Sequence, residues 1–110
     1  NNYSMQGTKV IVKLIIYDKT YRLEVDQNDS LKELVKLVTD NTGWTENQQN
    51  FSYISKENGS FVSMKPRKGT ENGEYYTFEE IFLMGKGTGW RDVVVDSPEI
   101  YVFKNTLGAQ

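Results

Sequence analysis

Apolar and polar residues alternate near the start of the chain in a pattern that predicts a β-hairpin. Residues 9–16, KVIVKLII, are β-branched and apolar with a partial period of two, which is typical of a strand. A short polar break covers residues 17–20, and YRLEV at 21–25 then alternates cleanly between apolar and polar residues. Two such runs around a break predict a hairpin with one apolar face, and that face needs a covering element.

The following segment has the helical period that can provide this cover. Ser30 followed by Glu33 predicts a capping box at the start of a helix, and Gly43 stands where a helix C-cap is expected. The main helix is therefore expected over about residues 31–41, lying across the hairpin. Its apolar face consists of residues spaced three or four apart, namely Leu31, Leu34, Val35 and Val38.

The second half of the chain predicts further strands and a short helix. Asn58-Gly59 indicates a turn, Thr77 and Glu80 form a second capping-box pattern, and no internal repeat is present. In chain order we expect a strand at 50–55, a strand at 60–64, a polar loop at 65–75, a helix at about 78–84, and strands at 91–95 and 99–104. The predicted core contains Val10, Val12, Tyr21, Leu23, Val25, Leu31, Leu34, Val38, Phe51, Ile100 and Val102, with Trp44 covering its end.

Composition narrows the functional classes. The 110 residues are 37% hydrophobic and 25% charged with a net charge of −2, which argues against nucleic acid as a partner. The chain lacks cysteine and histidine, so it has no thiol nucleophile, Cys/His zinc site or Ser-His-Asp triad. No apolar run is long enough to span a bilayer. We expect no cofactor, no metal, no small-molecule substrate and no membrane insertion.

Three patterns in the sequence could indicate a catalytic or ligand-binding site. GKGTG at 85–89 lacks the spacing of a phosphate-binding loop, so we interpret it as a connection. Asp26, Asn28 and Asp29 lack the glycine and closing glutamate of a calcium loop, which favours a turn and a helix cap. Glu79 and Glu80 are adjacent on a helix and point in different directions. The sequence therefore predicts no enzyme.

From Lys19 onward the chain resembles ubiquitin. The segment from Lys19 to Lys56 aligns without a gap with the second strand, main helix and third strand of ubiquitin, and TFEEI and EIYVFK resemble its later elements. The shared residues are Lys19-Thr20, Leu23-Glu24-Val25, Asp29, Ser30, Gly43 and Gln48-Gln49. The resemblance implies an α+β, ubiquitin-like β-grasp fold: a mixed, twisted sheet of four or five strands carrying one main helix and a short second helix.

The chain also departs from ubiquitin. Residues 57–98 are enlarged, and Ser52 stands where ubiquitin has the isoleucine at the centre of its recognition patch. The ending TLGAQ lacks the Gly-Gly that a conjugatable modifier needs, so a modifier would require processing at a glycine such as Gly108. We expect a disordered or tag-like segment at 1–8, one ubiquitin-like domain at 9–105, and a flexible tail at 106–110.

The resemblance implies a non-catalytic protein-interaction module of a larger, cytoplasmic protein. One alternative is a Ras-associating-type domain that binds a small GTPase, for which Lys13, Lys19, Arg22, Lys32 and Lys36 offer basic groups. Another alternative is the ubiquitin-like head of a cytoskeletal scaffold protein, and a conjugatable modifier is a further one. The interaction module, the Ras-associating domain and the scaffold head would each bind another protein.

Strand alternation predicts where the partner binds. If Val12 faces the helix, the residues of opposite parity face outward and form an aromatic and aliphatic patch with a basic edge. Exposed apolar clusters of this kind usually mark an interface. The alternative is that the enlarged 57–98 segment covers the patch as a second core. The candidate protein-binding residues are Ile11, Lys13, Arg22, Ser52, Ile54, Tyr101, Phe103 and Lys104.

Overall fold

A five-stranded mixed sheet forms the centre of the molecule. The computed structural model describes residues 9–26, 28–54, 58–84 and 99–105. In this part of the chain the strand order is β2-β1-β5-β3-β4, with β1 and β5 parallel and the other neighbours antiparallel. The predicted mixed sheet is confirmed. Its strands are β1 (Lys9–Ile16), β2 (Lys19–Asp26), β3 (Gln49–Ile54), β4 (Phe61–Met64) and β5 (Glu99–Lys104).

The first hairpin has a tighter turn than the sequence predicted. Pairing runs without interruption from Lys9 opposite Asp26 to Ile16 opposite Lys19, so only Tyr17 and Asp18 connect the strands. Tyr17 has a φ of 56°, in the left-handed region that residues other than glycine rarely adopt. This conformation closes the hairpin in two residues.

The main helix α1 (Lys32–Thr42) lies against one face of the sheet and buries Leu34, Val35 and Val38. Its C-terminus is as predicted, since Gly43 has a φ of 78° and its amide donates to the Thr39 carbonyl at 2.8 Å. The N-terminus differs. The Ser30 hydroxyl accepts the Lys32 amide at 3.0 Å, while the Glu33 amide donates to the Ser30 carbonyl at 3.1 Å.

The capping box predicted at Ser30 and Glu33 is therefore wrong. The cause lies in the backbone around Ser30, which is paired with residues before the second helix. Ser30 forms a β-bridge with Thr77, the Leu31 amide donates to the Tyr76 carbonyl at 2.8 Å, and the Phe78 amide donates to the Asp29 carbonyl at 3.0 Å. The bond to Tyr76 satisfies the Leu31 amide at the helix start, and the Glu33 amide, which a capping box would bond to the Ser30 hydroxyl, is bonded to the Ser30 carbonyl instead.

The short helix α2 (Phe78–Met84) is confirmed at its predicted position. The Thr77–Glu80 capping box forms in both directions: the Glu80 amide donates to the Thr77 hydroxyl at 3.1 Å, and the Thr77 amide donates to the Glu80 carboxylate at 2.8 Å. Phe78 and Ile81 are buried in the core. Part of the enlarged 57–98 segment thus joins the helix-covered side of the sheet.

A turn of 3-10 helix (Glu46–Gln48), which the sequence analysis did not identify, connects α1 to β3. The next residue, Gln49, is buried, and its side-chain amide donates to the Thr39 hydroxyl at 2.9 Å and the Trp44 carbonyl at 3.1 Å. Trp44 itself is partly buried against the core, as predicted. These contacts fix the end of α1 to the start of β3.

The core agrees in large part with the predicted set. Val12, Val25, Leu31, Leu34, Val38, Phe51, Ile100 and Val102 are buried, while Tyr21 and Leu23 are only partly buried against the core because β2 is an edge strand. The prediction omitted several members, namely Leu14, Ile16, Val35, Tyr53, Phe78 and Ile81.

Several expectations fall outside the described residues. They are the N-terminal segment 1–8, the side chain of Val10, the connection 85–89, the strand at 91–95 and the tail 106–110. Within the described ranges, neither helix reaches the length and apolar character required to cross a membrane.

Candidate functional site

The sheet has a second face, directed away from α1, which we call the open face. Strand alternation places it: Val12 and Leu14 are buried toward the helix, so Ile11, Lys13 and Ile15 point the other way. Cross-strand pairing extends this face over all five strands. Its principal side chains are Ile11, Lys13, Ile15, Arg22, Glu24, Ser52, Ile54, Phe61, Glu99, Tyr101 and Phe103.

Large hydrophobic side chains are exposed on this face. Phe61 is 52% exposed, Ile11 44% and Ile54 36%. The register places Phe61 directly opposite Ile54 across β3 and β4. Of the five large hydrophobic residues that are exposed among those described, these three belong to the open face, and Tyr17 touches it through Phe103. Side chains of this type are usually buried, so their concentration on one face is unusual.

The aromatic rings form a continuous cluster. The ring of Phe61 packs edge-to-face against Tyr101, with centroids 5.4 Å apart, and against Phe103 at 5.1 Å. Tyr17 packs against Phe103 at 6.0 Å and against Trp44 at 5.9 Å. These edge-to-face contacts are favourable arrangements of aromatic pairs and hold the rings in defined orientations. The cluster therefore extends from β4 across the sheet to the end of the first hairpin.

Ser52 differs from its predicted role. Its strand position is on the open face, opposite Tyr101 on one side and Ser63 on the other, but the residue is only 4% exposed. The larger Tyr101 is directly opposite its small side chain, and the Phe61 ring packs against Tyr101 from β4. The expectation that Ser52 is an accessible contact at the patch centre is corrected, because the residue is buried.

The other predicted site residues are divided among different parts of the sheet. Tyr101 and Phe103 are half-buried on the open face. Ile54 belongs to the same surface, because it is directly opposite Phe61, whose ring contacts Phe103. Lys104 is exposed but has the opposite strand parity, since it pairs with the buried Gln49. Lys104 thus lies at the end of β5, where its amide donates to the Tyr17 hydroxyl at 3.0 Å.

Phe61 and Tyr17 belong to the aromatic cluster but were not among the residues predicted from the sequence. The Asn58-Gly59 turn had already indicated that β3 and β4 form a hairpin, and opposite residues of a hairpin share one face. Because Ile54 was assigned outward, Phe61 could have been assigned with it had the register been known. Tyr17 offered no such signal, since its position depends on the two-residue turn.

The charged residues of the open face are concentrated on β1, β2 and β5. Lys13 lies 3.9 Å from the Glu99 carboxylate, which also accepts the Tyr101 hydroxyl at 2.9 Å. Burial, followed by this hydrogen bond, raises the pKa of Tyr101 above its ordinary value. Arg22 is exposed and stands directly opposite Lys13.

Comparison with solved structures identifies the fold. The solution structure of the UBL domain of yeast Ddi1 superposes with a TM-score of 0.51 at 13% identity, over 89% of this chain and 91% of that one. The solution structure of the ubiquitin-like domain of Arabidopsis thaliana protein At2g32350 gives a TM-score of 0.51 at 15% identity, over 89% and 79% of the two chains. The chain has the ubiquitin-like β-grasp fold. No protein-family model and no curated protein matches the sequence.

Away from the open face, the described residues include a dense polar cluster formed by Glu46, Arg67 and Tyr75. The Arg67 guanidinium donates to both carboxylate oxygens of Glu46, at 2.6 and 3.0 Å, and to the Gly73 carbonyl at 2.7 Å. It also donates to the Tyr75 hydroxyl at 2.7 Å, and that hydroxyl donates to Glu46. The Arg67 hydrogen bonds are the main cause that lowers the pKa of Glu46.

This cluster is structural by the arrangement of its atoms. Arg67 donates to both oxygens of Glu46, to the Gly73 carbonyl and to the Tyr75 hydroxyl, so four of its five N–H groups are bonded within the cluster. The cluster attaches the loop at 65–75 to the 3-10 turn after α1. Lys68 adds an ion pair to Glu80 at 2.8 Å, which is the leading cause that lowers the pKa of Glu80.

The acidic turn after β2 is also accounted for by local bonds. The Asp26 amide donates to the Asp29 carboxylate at 2.9 Å, and the Asn28 amide donates to the Asp26 carboxylate at 2.9 Å. These are the side-chain-to-backbone bonds of a tight turn. The interpretation of this segment as a turn leading into the helix, rather than as a calcium loop, agrees with this geometry.

Proposed function

We propose that this ubiquitin-like domain is a non-catalytic module that binds another protein through the open face of its sheet. The observation that carries the proposal is the concentration of exposed hydrophobic groups there, with Ile11, Ile54 and Phe61 each at least 36% exposed. Burying such groups against a partner is favourable by roughly 25 cal/mol per Å² of apolar surface. Aromatic side chains such as Phe61, Tyr101 and Phe103 are also typical of interface hot spots.

The proposal also covers the parent protein and the cellular location of the domain. The two solved structures compared above are described as ubiquitin-like domains of named proteins, which supports a module carried by a larger protein. A cytoplasmic location belongs to the same proposal and rests on a composition without cysteine, since disulfides are characteristic of small domains in oxidising compartments.

The proposed contact differs from that of ubiquitin. Ser52 is buried and carries a polar hydroxyl, so this domain offers no exposed apolar side chain at the position where ubiquitin offers its central isoleucine. We expect ordinary ubiquitin receptors not to bind. Calorimetric titration of a ubiquitin-binding peptide into the domain checks this expectation. Titration of the same peptide into ubiquitin is the positive control.

The Ras-associating alternative makes a different use of the charged residues. Its five candidate cations do not share one face, because Lys13 and Arg22 are on the open face while Lys32 and Lys36 are exposed on α1 on the other side of the sheet. Capture of small GTPases loaded with GTP or GDP separates the readings: GTP-dependent capture supports the alternative, whereas the open-face proposal expects none.

The main test compares proteins captured from a cell extract by the wild-type domain and by two double variants. Ile54→Ala with Phe61→Ala removes the exposed apolar groups, and these sites suit substitution better than the half-buried Tyr101 and Phe103. Lys32→Ala with Lys36→Ala is the matched control on α1. Quantitative mass spectrometry should show proteins lost with the first variant and retained with the second. Equal capture by both variants, with both folded, contradicts the proposal.

A further inference from the structure

The tripeptide Glu-Asn-Gly occurs twice in the chain, at 57–59 and at 71–73. Asparagine followed by glycine is especially prone to deamidate, because glycine has no Cβ to shield its backbone nitrogen from the preceding side chain. Asn58 and Asn72 are both exposed, so water reaches each of them. A difference in reactivity between the two sites must therefore come from the backbone around them.

The backbone at Asn58 favours attack on the side chain. The Ser60 amide donates to the Asn58 side-chain oxygen at 2.9 Å, which makes a tight turn around the Gly59 peptide group. This hydrogen bond polarises the side-chain carbonyl and stabilises negative charge that develops on its oxygen during attack. Gly59 has a φ of 74°, and an added Cβ would meet no atom of the described residues within 4 Å. Within the described ranges, the Gly59 amide also donates no hydrogen bond.

At Asn72 the corresponding backbone groups are bonded within the loop at 65–75. The Gly73 amide donates to the Thr70 carbonyl at 2.9 Å, so the nitrogen that would attack is held in a turn. The Gly73 carbonyl accepts the Arg67 guanidinium at 2.7 Å. An added Cβ at Gly73 would clash with the Lys68 carbonyl oxygen, so the loop packs closely around this glycine. Attack on the Asn72 side chain would require the loop to open first.

We propose that Asn58 is a site of spontaneous deamidation in the folded domain, that Asn72 is protected from it, and that modification of Asn58 loosens β4. The Gly59 nitrogen loses its proton to hydroxide or water and bonds to the Asn58 Cγ. The Cγ–Nδ2 bond then breaks, and Nδ2 takes up a proton and leaves as ammonia. Water opens the resulting cyclic imide at Cγ to give aspartate, or at the main-chain carbonyl carbon to give isoaspartate.

The isoaspartyl product changes the turn that leads into β4. The former side-chain carbonyl becomes part of a lengthened main chain, so the Ser60 amide loses its acceptor in the present geometry. The next residue, Phe61, begins β4, and its ring packs against Tyr101 and Phe103. Lengthening this turn therefore disturbs the part of the open face that Phe61 provides. The inference does not depend on whether the open face binds a partner.

Ageing of the purified domain at mildly alkaline pH tests the modification. Trypsin places Asn58 and Asn72 on different peptides, because Arg67 and Lys68 lie between them, and electron-transfer fragmentation distinguishes isoaspartate from aspartate. Deamidation in the folded domain should be about tenfold or more faster at Asn58, since Asn72 reacts only after its turn hydrogen bond breaks. Equal rates, or a faster reaction at Asn72, overturn the proposal.

Two controls test whether the structure causes the difference. In guanidinium chloride the two sites should react at similar rates, because each lies between a glutamate and a glycine. Arg67→Gln removes the bond to the Gly73 carbonyl, so it should raise the rate at Asn72 and leave the rate at Asn58 unchanged. A difference that persists in the denaturant, or an Asn72 rate that does not respond to Arg67→Gln, overturns the assignment of protection to the loop.

Limited proteolysis tests the effect on β4. Anion exchange isolates the aged fraction through its additional negative charge, and Asn58→Asp is the matched control with the same charge and a normal main chain. Chymotrypsin should cleave after Phe61, which is 52% exposed, faster in the aged fraction that contains isoaspartate than in Asn58→Asp. Equal cleavage of the two proteins overturns the loosening of β4.

Discussion

The two faces of the sheet are built by the same alternation but differ in what covers them. On the face beneath α1 and α2, Val12, Leu14, Phe51 and Val102 are almost completely removed from solvent. On the open face, Ile11 and Ile54 keep more than a third of their surface exposed. The covered face holds the fold together, whereas the open face retains apolar surface that another molecule can bury. Substitutions on the two faces should consequently separate stability from binding.

The covered face extends into the enlarged segment, and Phe78 provides the strongest test of this. Its side chain is 0% exposed in the core, so Phe78→Ala should lower the free energy of unfolding by about 3–5 kcal/mol. Urea denaturation monitored by tryptophan fluorescence measures the change. Glu79→Ala, at the exposed next position of α2, is the control. A loss below about 1 kcal/mol for Phe78→Ala would separate the segment from the core.

The main helix gives the second test. Leu34 is buried on the face of α1 that meets the sheet, and Leu34→Ala should cost about 2–5 kcal/mol. Lys36→Ala, on the exposed side of the same helix, should stay within about 0.5 kcal/mol of the wild type. Similar losses for the two variants would contradict the orientation of the helix.

The ion-paired loop gives a smaller and pH-dependent effect. Because the pKa of Glu46 is lowered in the folded protein, the stability that Glu46 contributes is present above its unfolded pKa and is lost as the pH falls through its folded pKa. Glu46→Gln should therefore be less stable than the wild type at pH 7, and the difference should shrink as the pH falls below about 4.5. Urea midpoints at several pH values measure this change.

The control for that experiment is Glu24→Gln, which removes an exposed carboxylate that forms no ion pair among the described residues. Its difference from the wild type should change little over the same pH range. A difference between Glu46→Gln and the wild type that stays constant with pH would show that the Glu46 charge is not the source of the stabilisation.

The open face should give the smallest effect on stability. Ile54→Ala combined with Phe61→Ala removes partly exposed side chains and two edge-to-face ring contacts of Phe61, so the cost in unfolding free energy should be about 1–2 kcal/mol. The same urea measurements used for the covered face decide this. A cost comparable to that of Leu34→Ala would mean that the two residues belong to a second core, as the alternative interpretation of residues 57–98 requires.

Much of the fold could be predicted from the sequence because the patterns that indicate its elements are local. Strict alternation around Leu23, the Thr77–Glu80 box and Gly43 each identified an element or its end. The sequence could not show that the backbone around Ser30 pairs with Thr77, since that contact joins segments far apart in the chain. For the same reason it did not anticipate that Phe78 completes the core.

The sequence predicted which side chains point to the open face better than it predicted how exposed they are. Tyr101 and Phe103 were assigned to the open face correctly by alternation. The burial of Ser52 depends on the size of side chains on neighbouring strands, and the contribution of Phe61 depends on the β3–β4 register. Neither quantity can be read from one strand alone. That the face binds a protein remains a prediction.

Site-specific photo-crosslinking tests that prediction most directly. A benzoylphenylalanine residue is placed either at Ile54 on the open face or at Lys36 on α1, both of which are exposed, and the protein is irradiated in cells. Adducts are then identified by intact mass and peptide mapping. The account predicts a discrete protein adduct from the Ile54 position and none from the Lys36 position. Adducts from Lys36 without any from Ile54 would contradict the open face as the binding surface.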